Sequence, residues 1–247
     1  LVVGVKGSRG PLTHHKQNDL GSYVVHANGE AYLVDPGYYE GKATDHTLPL
    51  VDGQGPDVTG ASITQAYEKG PWRTMTLNST DGYGKAARSV RRLVVMHGET
   101  SIVVLDDIVP AKGNPGKITA QYQTGWTPKI DGKNGSNLII TGQNGRLELR
   151  TFGHDLGLSA EDRRFSSGWH WKKIDQNGPG DWHSVSGVYT ADPTRPLITV
   201  LRPAEVDAEL THNPECIYDQ DKIVVRPHPD YEVRFVRREG RWKVLRP

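Results

Sequence analysis

Between closely spaced turn residues the chain carries runs in which apolar and polar positions alternate with a period of two, the pattern of strands with one face in a core. Such runs are Gly21–His26, Ala31–Val34, Trp72–Leu77, Ala87–Met96, Ser101–Ile108, Ile118–Thr124 and Leu138–Thr141. They continue with Gly145–Phe152, His183–Ala191, Leu197–Arg202, Cys216–Tyr218, Lys222–Arg226, Tyr231–Arg238 and Arg241–Leu245. Glu239-Gly240 fits a two-residue hairpin loop with glycine in the left-handed region, and Asn144-Gly145 reads as a second turn. No helical period outlasts two turns, and the best short helix candidate is "PAEVDAEL", Pro203–Leu210. The charged, Trp-rich stretch Ser159–Trp182 has no clean period and reads as a long loop. About a dozen antiparallel strands with no internal repeat and no low-complexity linker predict one domain over residues 1–247. The fold class is all-β, a large antiparallel multi-sheet β-sandwich of the supersandwich kind.

Composition sharpens this picture mainly by exclusion. The 28 glycines and 16 prolines supply the frequent turns. Thirty Lys plus Arg against 29 Asp plus Glu leave a weak overall field, so neither nucleic acid nor a membrane surface is indicated as a partner, and selectivity for a charged ligand must be local. The single cysteine, Cys216, rules out an internal disulfide framework and reads as a buried apolar residue. No apolar run reaches the length of a bilayer-spanning helix. The N-terminus has neither an initiator Met nor a signal-peptide layout, so the chain reads as a mature or excised piece of something longer.

Candidate chemistry gathers near the N-terminus. His15, Gln17 and Asp19 occupy alternate positions and would point to one side of an extended chain. Asp35 follows the next strand, and His46 lies in "TDHTLPLVDGQGP". Histidines with a carboxylate form a usable ligand set for a divalent metal, and His is the usual acid or base near neutral pH. Asp35 before Pro36-Gly37 also has an ordinary turn-forming role.

Three segments in order, "HHKQNDLGSYVVHANGEAYLVDPGYY", "DHTLPLVDGQGP" and "YGKAARSVRRLVVMHGETSIVVLDDI", resemble the C-terminal β-sandwich domain of the heparinase II/III-like polysaccharide lyases, which include alginate and oligoalginate lyases. The resemblance implies cleavage of uronate-containing glycans by β-elimination, in a cleft completed by an N-terminal α/α toroid that this chain does not contain. It implies His15 as acid/base or as the group that neutralises the substrate carboxylate. It implies a divalent metal, zinc in the family, with Asp35 and His46 as ligands and Gln17 at a position where many members have a second His. An amide oxygen is a poorer and harder ligand than imidazole, so Gln17 is where the chain departs from the family pattern. Tyr38 and Tyr39 follow Asp35 closely enough to reach the same cleft, Tyr38 as a substrate contact and Tyr39 as a second catalytic group, or as a strand-end aromatic pair. The partners implied are an anionic polysaccharide or oligosaccharide and a helical domain of the same protein, in the periplasm or outside the cell.

Among the remaining residues, Lys85, Arg88, Arg91 and Arg92 form the densest basic cluster, with Arg88 and Arg92 expected on one face and Arg91 on the other. Arg88 is the candidate for gripping an anionic sugar, while Lys85 and Arg92 read as solvated strand-face charges. Trp169, Trp171 and Trp182 read first as core or loop anchors and second as a sugar-stacking platform. A different class of function, a non-catalytic carbohydrate-binding or scaffold domain of the same fold, is suggested by Gln17 and by the missing toroid.

Overall fold

Two runs, Leu93–Met96 and Ile102–Leu105, are apolar at every position rather than every second one, so strands built from them need cover on both faces. The structure, a computed structural model describing residues 1–9, 17–37, 41–58, 60–132, 135–163, 182–208 and 212–245, supplies that cover. Its first strands are β1 (Val2–Val5), β2 (Ser8–Arg9), β3 (Tyr23–Ala27), β4 (Glu30–Leu33), β5 (Leu50–Val51), β6 (Gly60–Lys69) and β7 (Trp72–Asn78). The middle of the chain forms β8 (Ala87–His97), β9 (Ser101–Pro110), β10 (Lys117–Thr124), β11 (Pro128–Asp131), β12 (Asn137–Thr141), β13 (Arg146–Phe152) and β14 (Ser159–Arg163). The last are β15 (Trp182–Thr190), β16 (Leu197–Ala204), β17 (Glu215–Asp219), β18 (Lys222–His228), β19 (Tyr231–Arg238) and β20 (Arg241–Leu245). Short 3-10 turns at Ala43–Asp45 and Thr80–Tyr83 are the helical elements among the described residues.

A nine-stranded sheet in the order β11-β12-β13-β16-β9-β8-β7-β6-β2 forms the middle layer. One face packs Val94, Met96, Ile102 and Val104 against Tyr23, Val25, Leu33, Ile118, Tyr122 and Val185. Those partners belong to a three-stranded sheet, β1-β3-β4, and a four-stranded one, β14-β15-β10-β5. The other face packs Leu93, Val95, Val103 and Leu105 against Ile223, Val225, Val233, Phe235 and Trp242 of the C-terminal sheet β17-β18-β19-β20. Neighbouring residues of β8 and β9 thus enter opposite cores, which is why the apolar runs are unbroken. Each aliphatic side chain so buried contributes about 1.5–3 kcal/mol. All the pairings are antiparallel, so the all-β sandwich expected from the sequence is the fold observed.

The fourteen expected strands are present, with ends that differ by at most two residues. At the β19–β20 turn Glu239 and Gly240 both have positive φ, 55° and 73°, as a type I′ loop requires. The turn at Asn144-Gly145 is instead a four-residue loop, 142–145, between paired Thr141 and Arg146. Three expectations need correction. The described part of the expected helix Pro203–Leu210, residues 203–208, is not helical: β16 continues to Ala204 with Pro203 opposite Leu147 of β13, so sheet pairing overrides the local pattern. Ser159–Arg163 is a strand paired with β15, its regularity hidden because its side chains are mostly solvent-facing. Residues 164–181 of that expected loop, with Trp169 and Trp171, lie outside the described residues, while Trp182 is buried at the start of β15. Arg92 is not a solvated charge but a buried one, described next.

Candidate functional site

The site is assembled on three connecting segments that β10 and β8 hold in place. The first, residues 17–22, runs into β3. Gly21 there has φ +92°, and a Cβ would stand 2.6 Å from Ser79 Oγ, so the turn delivering Asp19 accepts only glycine. Asp19 is fully buried, its Oδ2 is paired with the Lys6 ammonium, and its Oδ1 has no hydrogen-bond partner. The second segment follows β4, where Asp35 Oδ1 accepts the Gly37 N–H at 3.0 Å. That bond is the turn-forming role read from Asp-Pro-Gly, and it leaves Oδ2 directed at His46. Gln17 Nε2 donates to the Gly37 carbonyl at 3.0 Å, bracing the same turn.

The third segment, 43–48, carries His46, which is 1% exposed. Gln121 Nε2 donates to the Ala43 and Leu48 carbonyls at 3.3 Å. Gln123 Nε2 donates to Thr44 O at 3.3 Å, and its backbone N–H donates to Thr47 Oγ1 at 3.0 Å. Trp182 Nε1 in turn fixes the amide by donating to Gln123 Oε1 at 3.1 Å. From β8, Arg92 Nη1 donates to Thr47 O at 3.1 Å and to Gly21 O at 2.7 Å, so one guanidinium grips both the Asp19 and the His46 segments. Asp106 holds Arg92 in a two-point pair at 2.7 and 3.0 Å. Burial alone would lower the Arg92 pKa, but the Asp106 carboxylate outweighs it and keeps the guanidinium charged.

Asp19, Asp35 and His46 converge so that one potential ligand atom from each lies within 4.8 Å of the others. His46 Nδ1 stands 3.4 Å from Asp35 Oδ2, outside hydrogen-bonding geometry, and neither ring nitrogen of this buried imidazole has a hydrogen bond. Burial pushes the Asp35 carboxyl up, but His46, the Gly37 N–H and Lys6 together hold it below the ordinary carboxylate value. Two carboxylates and an imidazole with open donor atoms suit a divalent ion of borderline character. The residues present therefore fit a metal.

No family model matches the chain, and no curated protein matches it. Solved structures do. A heparinase III structure superposes with TM-score 0.69 at 16% identity, covering 98% of this chain and 38% of that one. Heparan sulfate lyase HepC from Pedobacter heparinus gives TM-score 0.68 at 13% identity, again over 98% of this chain and 38% of that one. The chain shares the heparinase III fold. It spans a little over a third of the length of those heparinase chains.

On this heparinase III-like fold, the sequence-derived candidates are distributed unevenly. Asp35 and His46 meet, and Gln17 lies against the Asp35 turn rather than standing apart. Arg88 is an exposed extra residue at a β-bulge between Ala87 and Ser89 in β8. His15, Tyr38 and Tyr39 lie outside the described residues. Sequence reasoning put Asp19 in the N-terminal constellation without a ligand role, and missed Gln121, Gln123 and Arg92 as supports. The signal for the two glutamines was present: polar residues at alternate positions of β10, facing away from Ile118, Ala120 and Tyr122 in the core.

Proposed function

We propose that this chain is the β-sandwich part of a polysaccharide lyase acting on uronate-bearing glycans, in the periplasm or outside the cell. The observation that carries the reading is the Asp19–Asp35–His46 cluster, with Asp19 and His46 buried, Asp35 half-buried and both imidazole nitrogens unbonded, on a fold shared with heparinase III. Asp19, Asp35 and His46 would hold a divalent cation, with Gln17 bracing the Asp35 turn. When bound, the ion supplies fixed positive charge beside the substrate cleft. β-Elimination needs the uronate carboxylate neutralised, a base at the C5 proton and an acid at the leaving C4 oxygen. His15 serves one of these needs and Tyr39 is the second catalytic group, while Tyr38 and Arg88 contact the sugar acid. A helical domain of the same protein supplies the remaining groups, as the one-third coverage of the heparinase chains suggests.

The metal part is tested by titrating chelator-treated chain with Zn(II) in a calorimeter. One equivalent is taken up by the natural chain, and His46→Ala and Asp35→Asn each weaken uptake at least tenfold; undiminished uptake by His46→Ala would overturn the assignment. In the protein containing both domains, His15→Ala lowers the rate of unsaturated-uronate formation by roughly a hundredfold, the usual scale of lost acid–base catalysis. Gln17, whose amide is spent on the Gly37 carbonyl where the family pattern has an imidazole, favours a second reading, a carbohydrate-binding domain without catalysis. It predicts glycan binding with no unsaturated product from the two-domain protein.

A further inference from the structure

At one corner of the nine-stranded sheet the structure forms an open, solvent-facing pocket of about 580 Å³, within the size range of small-ligand sites. Asn137, Arg150, Phe152, His154, Asp155 and Arg195 line it, and none of them belongs to the Asp19–Asp35–His46 cluster. Their meeting follows from register and one turn. Asn137 of β12 stands directly opposite Arg150 of β13, so the two side chains leave the same face, and Phe152 follows two residues later on that face. Gly153 then turns the chain with φ +99°, where a Cβ would lie 2.6 Å from Tyr218 Oη and 2.8 Å from Pro196 O. Only glycine permits that approach, which places His154 and Asp155 at the end of the strand.

The loop is held from outside. His154 Nε2 donates to the Arg195 carbonyl at 2.6 Å, and its ring stacks on Tyr189 at 4.3 Å. A carbonyl only accepts, so Nε2 carries the proton and Nδ1 of the neutral ring is an acceptor. Burial lowers the His154 pKa and favours that neutral form. The Arg195 guanidinium rests over the Tyr218 ring, 5.0 Å from its centroid. Arg150 gives one N–H to Asn213 Oδ1 at 3.2 Å and approaches Glu148 Oε1 at 3.7 Å, which leaves donors of its five unspent. Asn137 is 7% exposed and its Oδ1 is buried with no hydrogen-bond partner, a deficit that a hydroxyl donor would remove once the amide turns toward the cavity.

Two guanidiniums call for acidic oxygens, while Asp155, the Asn137 carbonyl and His154 Nδ1 call for hydroxyl donors. A bare inorganic anion meets only the first demand and is repelled by Asp155; a neutral sugar meets only the second. We propose that this cavity binds one acidic sugar residue of a glycan, its carboxylate or sulfate against Arg150 and Arg195 and its hydroxyls against Asn137 and Asp155. The Phe152 ring offers an apolar surface to the sugar's C–H face. The site is independent of any metal at His46 and of catalysis.

Calorimetric titration of the 247-residue chain tests the proposal with four probes: a non-sulfated glucuronate tetrasaccharide, its N-sulfated counterpart, cellotetraose and sodium sulfate. The acidic tetrasaccharides bind, and the tighter of the two identifies whether carboxylate alone or sulfate is read. Arg195→Ala and Asn137→Ala each weaken binding at least tenfold, and Asp35→Asn, which disables the metal cluster, leaves it unchanged. Arg195 is exposed, so its variant folds even where Asn137→Ala does not, and it decides the matter alone. Binding undiminished in Arg195→Ala, equal binding of cellotetraose, an adventitious ion only (sodium sulfate binding as well as the sugars), or no binding of any probe would each overturn it.

Discussion

Adjacent residues of β8, Arg91 and Arg92, each pair with an aspartate of β9, yet they serve opposite faces of the central sheet in different ways. Arg92 is buried, makes a two-point pair with Asp106 and gives its Nη1 group to the Gly21 and Thr47 carbonyls. Arg91 meets Asp107 at a single 3.3 Å contact and donates to the Trp242 carbonyl at 3.2 Å, while Asp107 accepts the Trp242 N–H at 3.3 Å. The first pair positions irregular segments that carry the candidate metal ligands. The second pins the edge strand of a sheet already anchored by Phe235 and Trp242. A buried charge is indispensable where it is the scaffold of a loop, and auxiliary where an apolar core does the same job.

The largest effect is expected from Arg92→Met, which strands Asp106 and two carbonyls in a water-poor core and should cost roughly 3–5 kcal/mol in urea denaturation. Its Zn(II) uptake should fall at least tenfold as well, because the Asp19 and His46 segments lose their common grip. Arg91→Met should cost about 1–3 kcal/mol and leave Zn(II) uptake unchanged. Equal losses of uptake in the two variants would erase the distinction between the faces. The double variant Arg92→Met/Asp106→Leu should recover part of the stability by removing the stranded carboxylate, without restoring uptake, since no donor then reaches Thr47 O.

The smallest effect concerns pH. Burial outweighs the Trp242 N–H and Arg91, so the Asp107 carboxyl sits above its ordinary value. Its contribution to stability is then fully present below about pH 4, the range in which the unfolded chain still holds the proton, and is lost as pH rises through the folded value. Asp107→Asn keeps an acceptor for Trp242 and should lack that downward slope; parallel stability–pH curves for variant and natural chain would refute it.

Strands such as Ala87–His97 and Tyr231–Arg238 were legible because apolar residues recur along them. β6, Gly60–Lys69, was not: most of its side chains face solvent near the sheet edge, so burial imposes no pattern there. Alternation correctly put Arg91 and Arg92 on opposite faces, but in a sheet covered on both sides it does not reveal that Arg92 is buried. Asp35 and His46 could be picked from motif order. Asp19 could not be assigned to them, because its place depends on the turn at Gly21 and on a guanidinium seventy residues downstream in the sequence.

The bonds from β8 and β10 side chains to the His46 segment come from two glutamine amides and a guanidinium. None of these gains or loses a proton between mild acid and mild alkali. The mounting of the segment is therefore deaf to pH over that range: His46 is carried on bonds that mild acid and mild alkali leave intact.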